Sequence, residues 1–455
     1  MMAANLSPDK STPDASNSGR PQVRFPGRFS GMTRALRSRN YRLFFSGQLL
    51  SVIGTSMTQI AVGWLIYHLT GSAFDLGFAA FMGWLVFFFT TPLAGVWADR
   101  LDLRHLLLAT QTSAMLQSVT LAILTFDGHI NFPWLVCMSM LQGLVNAFDI
   151  PSRQAFVVQM VASREDLSNA IALNSSMMNF SRPVGAALAG IIIAAFGAGI
   201  CFSLDALSYA AVIAALLAMR IANHAPRGRQ PTVWSQWRAG LVYVRQSPPI
   251  RMILLLVATV ALLGSPYVSL MPFYVKALFN GDVVMLGLLV AASGFGALAG
   301  ALTLATRRTV HGLEIQVGIG ATVFGLALVA FAWSHFIFLG IPILLGAGFG
   351  MITTFAGSNT LLQTIVPDEN RGRMMSFYAM ANMGMTPIGC LLLGWLPGVF
   401  NRSLDLWGQT TVGCLFLRWM PGAALGAAVT ITLGGLCCAV GGVWFSLRRG
   451  VFKTG

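Results

Sequence analysis

Twelve predominantly apolar runs restrict this chain more than any other feature. They cover residues 43–67, 76–98, 106–126, 132–158, 167–196, 202–219, 252–278, 283–305, 315–333, 337–365, 374–396 and 423–447. Crossing about 30 Å of hydrocarbon takes roughly 20 residues of α-helix, and each run is about that long or longer. Within hydrocarbon every backbone polar group must be satisfied inside its own segment, so the runs are helices rather than open strands. The expectation is an all-α membrane protein of twelve transmembrane helices. Composition agrees: of 455 residues, 55% are hydrophobic and only 10% charged, and the mean hydropathy is +0.70. A soluble globular fold is excluded on those values.

The net charge of +14 raises nucleic acid as a partner, but the placement of the charge argues against it. Of the 29 Lys and Arg residues, 24 fall in the tail, loops and helix ends on the side of the amino terminus. Three (Lys276, Arg402, Arg418) fall on the other side, and Arg153 and Arg182 lie within runs. No continuous basic face for a duplex remains. The asymmetry is that of cytoplasmic loops, which places both termini in the cytoplasm and requires an even number of spans. The first forty residues are polar, rich in Pro, Ser and Arg, and lack the apolar stretch of a signal peptide. The six cysteines show no CxxC or Cys/His spacing, so neither a metal nor a cofactor is expected.

The chain repeats itself. Gln159, Pro183, Gly185 and Gly190 recur as Gln363, Pro387, Gly389 and Gly394, each pair 204 positions apart. Six runs separate the equivalents, so the halves are parallel repeats about an axis along the membrane normal, with any substrate site between them near the midplane. The resulting division is a disordered basic cytoplasmic tail (1–40), an N-terminal six-helix half (41–221), a cytoplasmic linker (222–250), a C-terminal six-helix half (251–449) and a short cytoplasmic tail (450–455). The linker contains an amphipathic piece, 234–244, expected to lie at the membrane interface. An insertion at 397–421, on the side away from the termini, has no assigned role.

Ionised groups inside apolar runs are costly and mark working sites by default. Asp149 and Arg153 stand four apart, acid first, on one helical face. They form either an inner gate or a proton site. Arg182, in the middle of the fifth run, is either a seat for an anionic or catecholate-like group or the fixed partner of Asp149 or Asp205. Asp205, near the outer end of the sixth run, is expected to be solvated and is a further candidate for coupling. Kinks are expected at Pro183 and Gly185, Pro266, and Pro387. Met177, Met178, Met374, Met375, Met380, Met383 and Met385 would suit an adaptable cavity wall or ordinary packing.

The turn Gly95-Val-Trp-Ala-Asp99-Arg100-Leu-Asp102-Leu-Arg104 resembles the loop signature of the major facilitator superfamily, G-x-x-x-D-R-x-G-R-R/K. Asp102 stands where that signature has Gly, and Leu103 where it has Arg. Phe148-Asp149-Ile-Pro151-Ser-Arg153-Gln154-Ala155 is similar to the F-D-x-P-x-R-Q-A element of the enterobactin-exporter-like branch, the third type of drug:proton antiporter. Arg39-Asn-Tyr-Arg42-Leu-Phe and Pro367-Asp-Glu-Asn-Arg371-Gly372-Arg373-Met fit the same branch. The resemblance implies two six-helix halves rocking around a central site in a bacterial cytoplasmic (inner) membrane. It implies a gate of Gly95, Asp99, Arg100, Arg104, Arg153, Arg371 and Gly372, in which Asp99 pairs with Arg153 and with the helix start near Gly372. Asp149 and Arg182 are then the choices for coupling and substrate charge.

The expected activity is secondary, proton-coupled export of a small amphipathic molecule, a siderophore or similar secreted metabolite ahead of a macrolide or other drug. Small molecule, protons and lipid are the expected partners, with room for an outer-membrane export partner. No GxxxxGK[ST] loop provides for ATP. A non-transporting membrane sensor or scaffold is the reading from another class. An enzyme is not expected, for lack of a nucleophile–base constellation.

Overall fold

The computed structural model describes residues 35–98, 101–160, 164–219, 243–307, 309, 312–334, 336–407 and 422–448. The long helices of the first half are α1 (Arg39–Thr70), α2 (Ala73–Ala98), α3 (Leu103–Phe126), α4 (Phe132–Gln159), α5 (Arg164–Phe196) and α6 (Ala198–Ala218). The second half contains α7 (Pro248–Thr259), α8 (Met271–Phe279), α9 (Val283–Ala305), α10 (Leu313–Ala332), α11 (Ile337–Ile365), α12 (Asp368–Ala379), α13 (Met385–Trp407) and α14 (Gly422–Leu447). No strand occurs among the described residues. Among the described residues eleven spans are long and apolar enough to cross a membrane. The expected span at 132–158 is the remaining one. It coincides with α4, a helix of 28 residues packed against α2 and α3, made more polar by Gln142, Asn146, Asp149, Arg153 and Gln154. Large apolar side chains such as Phe89, Phe196, Leu207, Phe338 and Val440 are exposed around the bundle, as lipid contact requires.

Helix ends follow local chemistry. Asp102 accepts hydrogen bonds from the backbone N–H of Arg104 (2.8 Å) and His105 (3.4 Å) and so caps α3. The acid that departs from the loop signature thus serves as an N-cap. Asn131 caps α4 and Asp282 caps α9 in the same way. Gly71 closes α1 in the left-handed conformation at φ 63°. Alternate connections therefore lie on alternate faces. The face that carries the start of α1 and the end of α14 also carries Arg39, Arg42, Arg104, Arg251, Arg307, Arg371, Arg373 and Arg448, and is termed the basic face.

The seventh and eleventh spans are broken, as their prolines predict. Between α7 and α8 the backbone passes through a π turn (Val260–Gly264) and a 3₁₀ turn (Ser265–Tyr267). Pro266 has no N–H for the Leu262 carbonyl, and its ring would collide with that group in a regular helix. The Leu262 oxygen instead abuts Gly389, where a Cβ would stand 2.0 Å from it. A second π turn (Met380–Gly384) joins α12 to α13 just before Pro387. Pro183 differs: α5 runs unbroken through it.

The duplication seen in sequence has a physical counterpart. Gly185 lies against Ile53 and Ser56 of the first span, as Gly389 lies against Leu262 and Pro266 of the seventh. Gly190 meets Gly287 of α9, and Gly394 meets Gly77 of α2. These last two contacts join the halves at the face away from the termini. A Cβ on Gly77 would stand 2.2 Å from the Cys390 oxygen, and one on Gly287 would stand 2.6 Å from the Ala186 oxygen. Absent side chains let the backbones touch. Toward the basic face, α2 and the α12–α13 segment instead line an apolar cavity.

Candidate functional site

The first half encloses a polar cavity of about 120 Å³ between α1, α3, α4, α5 and α6. Two helices contribute stripes to it. On α1 these are Gln48, Val52, Thr55 and Gln59; on α4 they are Gln142, Asn146, Asp149 and Arg153. Both sets step by four, three and four residues, which keeps one face of a helix over three turns. Gln111 of α3, Met178 and Arg182 of α5 and Tyr209 of α6 complete the wall.

Asp149 is buried and its carboxylate is fully engaged. One oxygen accepts from Gln111 Nε2 (2.8 Å) and Thr110 Oγ1 (3.2 Å), and the other pairs with Arg153 Nη2. Arg153 Nη1 reaches the Met178 sulfur at 3.9 Å, while its Nε has no partner. Removing either partner of this pair would leave an uncompensated buried charge. Arg182 is exposed, and the space it faces is this cavity. Among the described residues no carboxylate and no hydrogen-bond acceptor is matched to it. The cavity therefore holds two guanidinium groups and one carboxylate, a net charge of +1, among neutral amides and hydroxyls. A surplus charge inside an apolar bundle is costly unless something offsets it.

Asp205 stands apart from this arrangement and differs from the sequence expectation. It is 1% exposed rather than solvated. Its position on α6 turns it inward against α1 and α3, where Thr58 Oγ1 (2.7 Å) and Ser118 Oγ (2.9 Å) donate to one oxygen. It pairs with neither Arg182 nor Asp149 among the described residues.

The loop residues divide differently. Asp99 and Arg100 lie outside the described residues. Arg104 donates to the carbonyls of Leu216 and Leu217 (3.0 Å each), sealing the end of α6. Arg153 sits in the cavity with Asp149. Among the described residues nothing stands where a Cβ of Gly95 or Gly372 would be, so neither marks a close helix contact there. Arg371 pairs with Asp368 at 2.6 Å on the exposed first turn of α12. Pro387, Met380 and Met385 line the apolar cavity of about 660 Å³ with Phe81, Phe88 and Phe377. Of the other methionines, Met177 and Met374 are packed in the core.

Sequence reasoning missed Gln48, Gln59, Gln111, Gln142, Asn146 and Tyr209. The signal was present: amides recurring at helical spacing inside apolar runs mark a face turned away from lipid.

Two stacked groups of helices joined at glycine contacts, with a polar cavity at membrane depth, define a multi-pass membrane transporter of the major facilitator fold. Residues 30–417 match the family described as transmembrane secretion effector, and the chain belongs to that family. Solved structures with the same fold include a bacterial homologue of the human lysosomal transporter Spinster, inward-facing and unoccupied. It aligns at a TM-score of 0.70 and 13% identity, over 94% of this chain and 99% of that one. A bacterial homologue of ferroportin, inward-facing, aligns at 0.64 and 16% over 90% and 99%. Among curated relatives, the staphyloferrin A transporter of Staphylococcus aureus is 25% identical, over 81% of this chain and 92% of its own. Macrolide efflux protein A of Streptococcus pyogenes is 23% identical over 78% and 89%. The enterobactin exporter EntS of Citrobacter koseri is 23% identical over 78% and 85%.

Proposed function

We propose that this chain is a proton-coupled secondary exporter of a small amphipathic anion, a siderophore or similar secreted metabolite, in a bacterial cytoplasmic membrane. Its basic face and both termini are cytoplasmic on this reading, which the Lys and Arg asymmetry supports. One observation carries the substrate class: Arg182 faces the cavity without an acidic partner, while Asp149 is already neutralised by Arg153. A carboxylate or catecholate would seat on Arg182, with Gln48, Gln59, Gln142 and Asn146 able to meet its remaining oxygens. The polar cavity suits one charged group; the apolar cavity, which shares no lining residue with it, offers separate phenylalanine and methionine walls to an apolar molecule.

Chemistry on the substrate has no place in this scheme, and lipid is the only other partner it needs inside the membrane. An outer-membrane partner would be required to carry the product beyond a second membrane. Two relatives handle siderophores by name and one a macrolide. The roomy apolar cavity is what favours a macrolide as the second reading, while the surplus positive charge weighs against a cationic drug. A non-transporting sensor would have no use for two cations held at depth at the cost they carry.

The test compares secreted metabolites of a deletion strain and its complemented parent under iron limitation. A siderophore lost from the medium and retained in the cells is the expected result. An unchanged profile, together with raised macrolide susceptibility, would replace this reading with drug efflux.

A further inference from the structure

We infer that Asp205, rather than Asp149, is the group that takes up and releases the coupled proton. The inference rests on the proton-coupled reading above for its role in transport, but the protonation itself stands on the geometry of the site.

The two buried carboxylates of the first half have opposite surroundings. Asp149 is held by a guanidinium, an amide N–H and a hydroxyl. Protonating it would strand the charge of Arg153, whose Nε already lacks a partner. It is fixed as an anion and serves to position Arg153. Asp205 has no cation beside it. Thr58 and Ser118 donate to one oxygen, and the other, Oδ1, is buried without any partner. A buried charge without a counter-ion is unstable, and a carboxylic acid removes it by binding a proton. The nearby Ser208 hydroxyl does not serve Oδ1, because it donates to the backbone carbonyl of Asp205 (2.7 Å).

The surroundings contain nothing else to neutralise the charge. On α6 the neighbouring titratable groups are Cys201 and Tyr209, one turn to either side. The charged residues of α1 and α3 stand at helix ends: Arg39, Arg42 and His68 on one, Arg104 and His105 on the other. Asp149, Arg153 and Arg182 stand in the cavity, on the far side of Tyr209. A metal ion is excluded by space. The Oδ1 atom lies 2.6 Å from where a Cβ of Gly54 would be, so the α1 backbone walls off that side. Only a proton fits.

Tyr209 connects the acid to the cavity. It lies one turn from Asp205 toward the basic face, its hydroxyl is 2.9 Å from Thr55 Oγ1, and both residues line the cavity. The Tyr209 and Thr55 hydroxyls, each able to donate or accept, are the polar groups that face Asp205 from the cavity side. The step is a simple association, carboxylate plus proton giving carboxylic acid, with the proton returned to whichever solution the cavity faces. Alternating access of the cavity thereby gives alternating access to the acid.

The deciding experiment is infrared difference spectroscopy of the purified full-length protein in lipid nanodiscs between high and low pH. The wild type should show a protonated-carboxyl stretch in a buried environment. That band should persist in Asp149→Asn and be lost in Asp205→Asn. A band unchanged in Asp205→Asn overturns the inference. Should that variant fold poorly, Ser118→Ala and Thr58→Val keep the acid and remove one hydrogen bond each. The frequency of the band should shift in both, and a fixed frequency overturns the inference equally. In proteoliposomes, Asp205→Asn should lose accumulation of staphyloferrin A driven by a pH gradient yet retain its exchange across the membrane. Gradient-driven accumulation that survives in Asp205→Asn overturns the coupling role. A wild type that moves no staphyloferrin A counts against the substrate proposed above, and the infrared band still decides the proton site.

Discussion

The two halves share a fold and a set of glycines, yet they treat polarity in opposite ways. Spans of the first half carry Asp149, Arg153, Arg182 and Asp205 at depth, and their hydroxyls reach across helices to carboxylates: Thr58 and Ser118 to Asp205, Thr110 to Asp149. In the second half the charged residues of the spans lie at their ends, as with Arg251, Lys276 and Glu314. Its buried Thr353 and Thr354 hydroxyls turn back on their own helix, to Phe349 (2.7 Å) and Gly350 (2.8 Å). Among the described residues, a buried hydroxyl that crosses between its elements meets another hydroxyl or a carbonyl rather than a carboxylate, as Tyr267 meets Ser293 and Tyr378 meets the Phe355 oxygen. What the second half has instead is irregular backbone, with a π turn in each of its broken spans. Duplication preserved the contacts that hold the halves together, and the chemistry inside each was free to diverge. One half is fitted to hold charge and the other to bend.

The contrast is broken most severely at the shared contacts. Gly77→Trp and Gly190→Trp would each wedge open one of the two equivalent glycine contacts, since even a methyl group collides there. Both should abolish transport while leaving the protein in the membrane, and cysteines placed near residue 77 or 190 should become reactive to a membrane-impermeant thiol reagent. A large effect at one contact and none at the other would show that the repeats no longer act alike.

Within the first half, Arg182→Ala should lower export by about 100-fold, the scale for losing a desolvated charge contact of about 3 kcal/mol. Transport of the secreted anion in everted vesicles reads this directly, and Arg182→Lys should recover part of it. Asp149→Asn leaves the Arg153 guanidinium buried and unpaired, which costs about 3–5 kcal/mol. Thermal unfolding in detergent should fall accordingly, and adding Arg153→Gln should restore much of the loss. If Asp149→Asn alone unfolds like the wild type, the pair does not position Arg153.

The smallest effect belongs to the second half. Met380→Leu conserves volume on an adaptable wall, a change expected to cost less than about 1.5 kcal/mol. It should alter transport by only a few-fold and should shift preference among substrates more than rate.

Much of this architecture was legible from residues alone. The apolar runs marked an all-helical membrane bundle because hydrocarbon leaves the backbone no other option. A constant spacing of 204 between Gly185 and Gly389, and between Gly190 and Gly394, announced equivalent helix contacts before any coordinates. The broken seventh span was readable from Pro266. The site was harder. Asp149, Arg153 and Arg182 stood out because charge in an apolar run is rare, but the amides beside them are cheap enough in a membrane helix to pass unremarked.

Spacing along the chain determined which residues share a helical face, and composition determined that those helices lie in a membrane. Which of two aspartates is left among hydroxyls depended on helices far apart in sequence. Arg153 found Asp149 one turn away on its own helix. Asp205 met Thr58 and Ser118 across 147 and 87 residues. An ionisable group takes its character from the atoms within a few ångströms of it, and only the packed bundle decides which atoms those are.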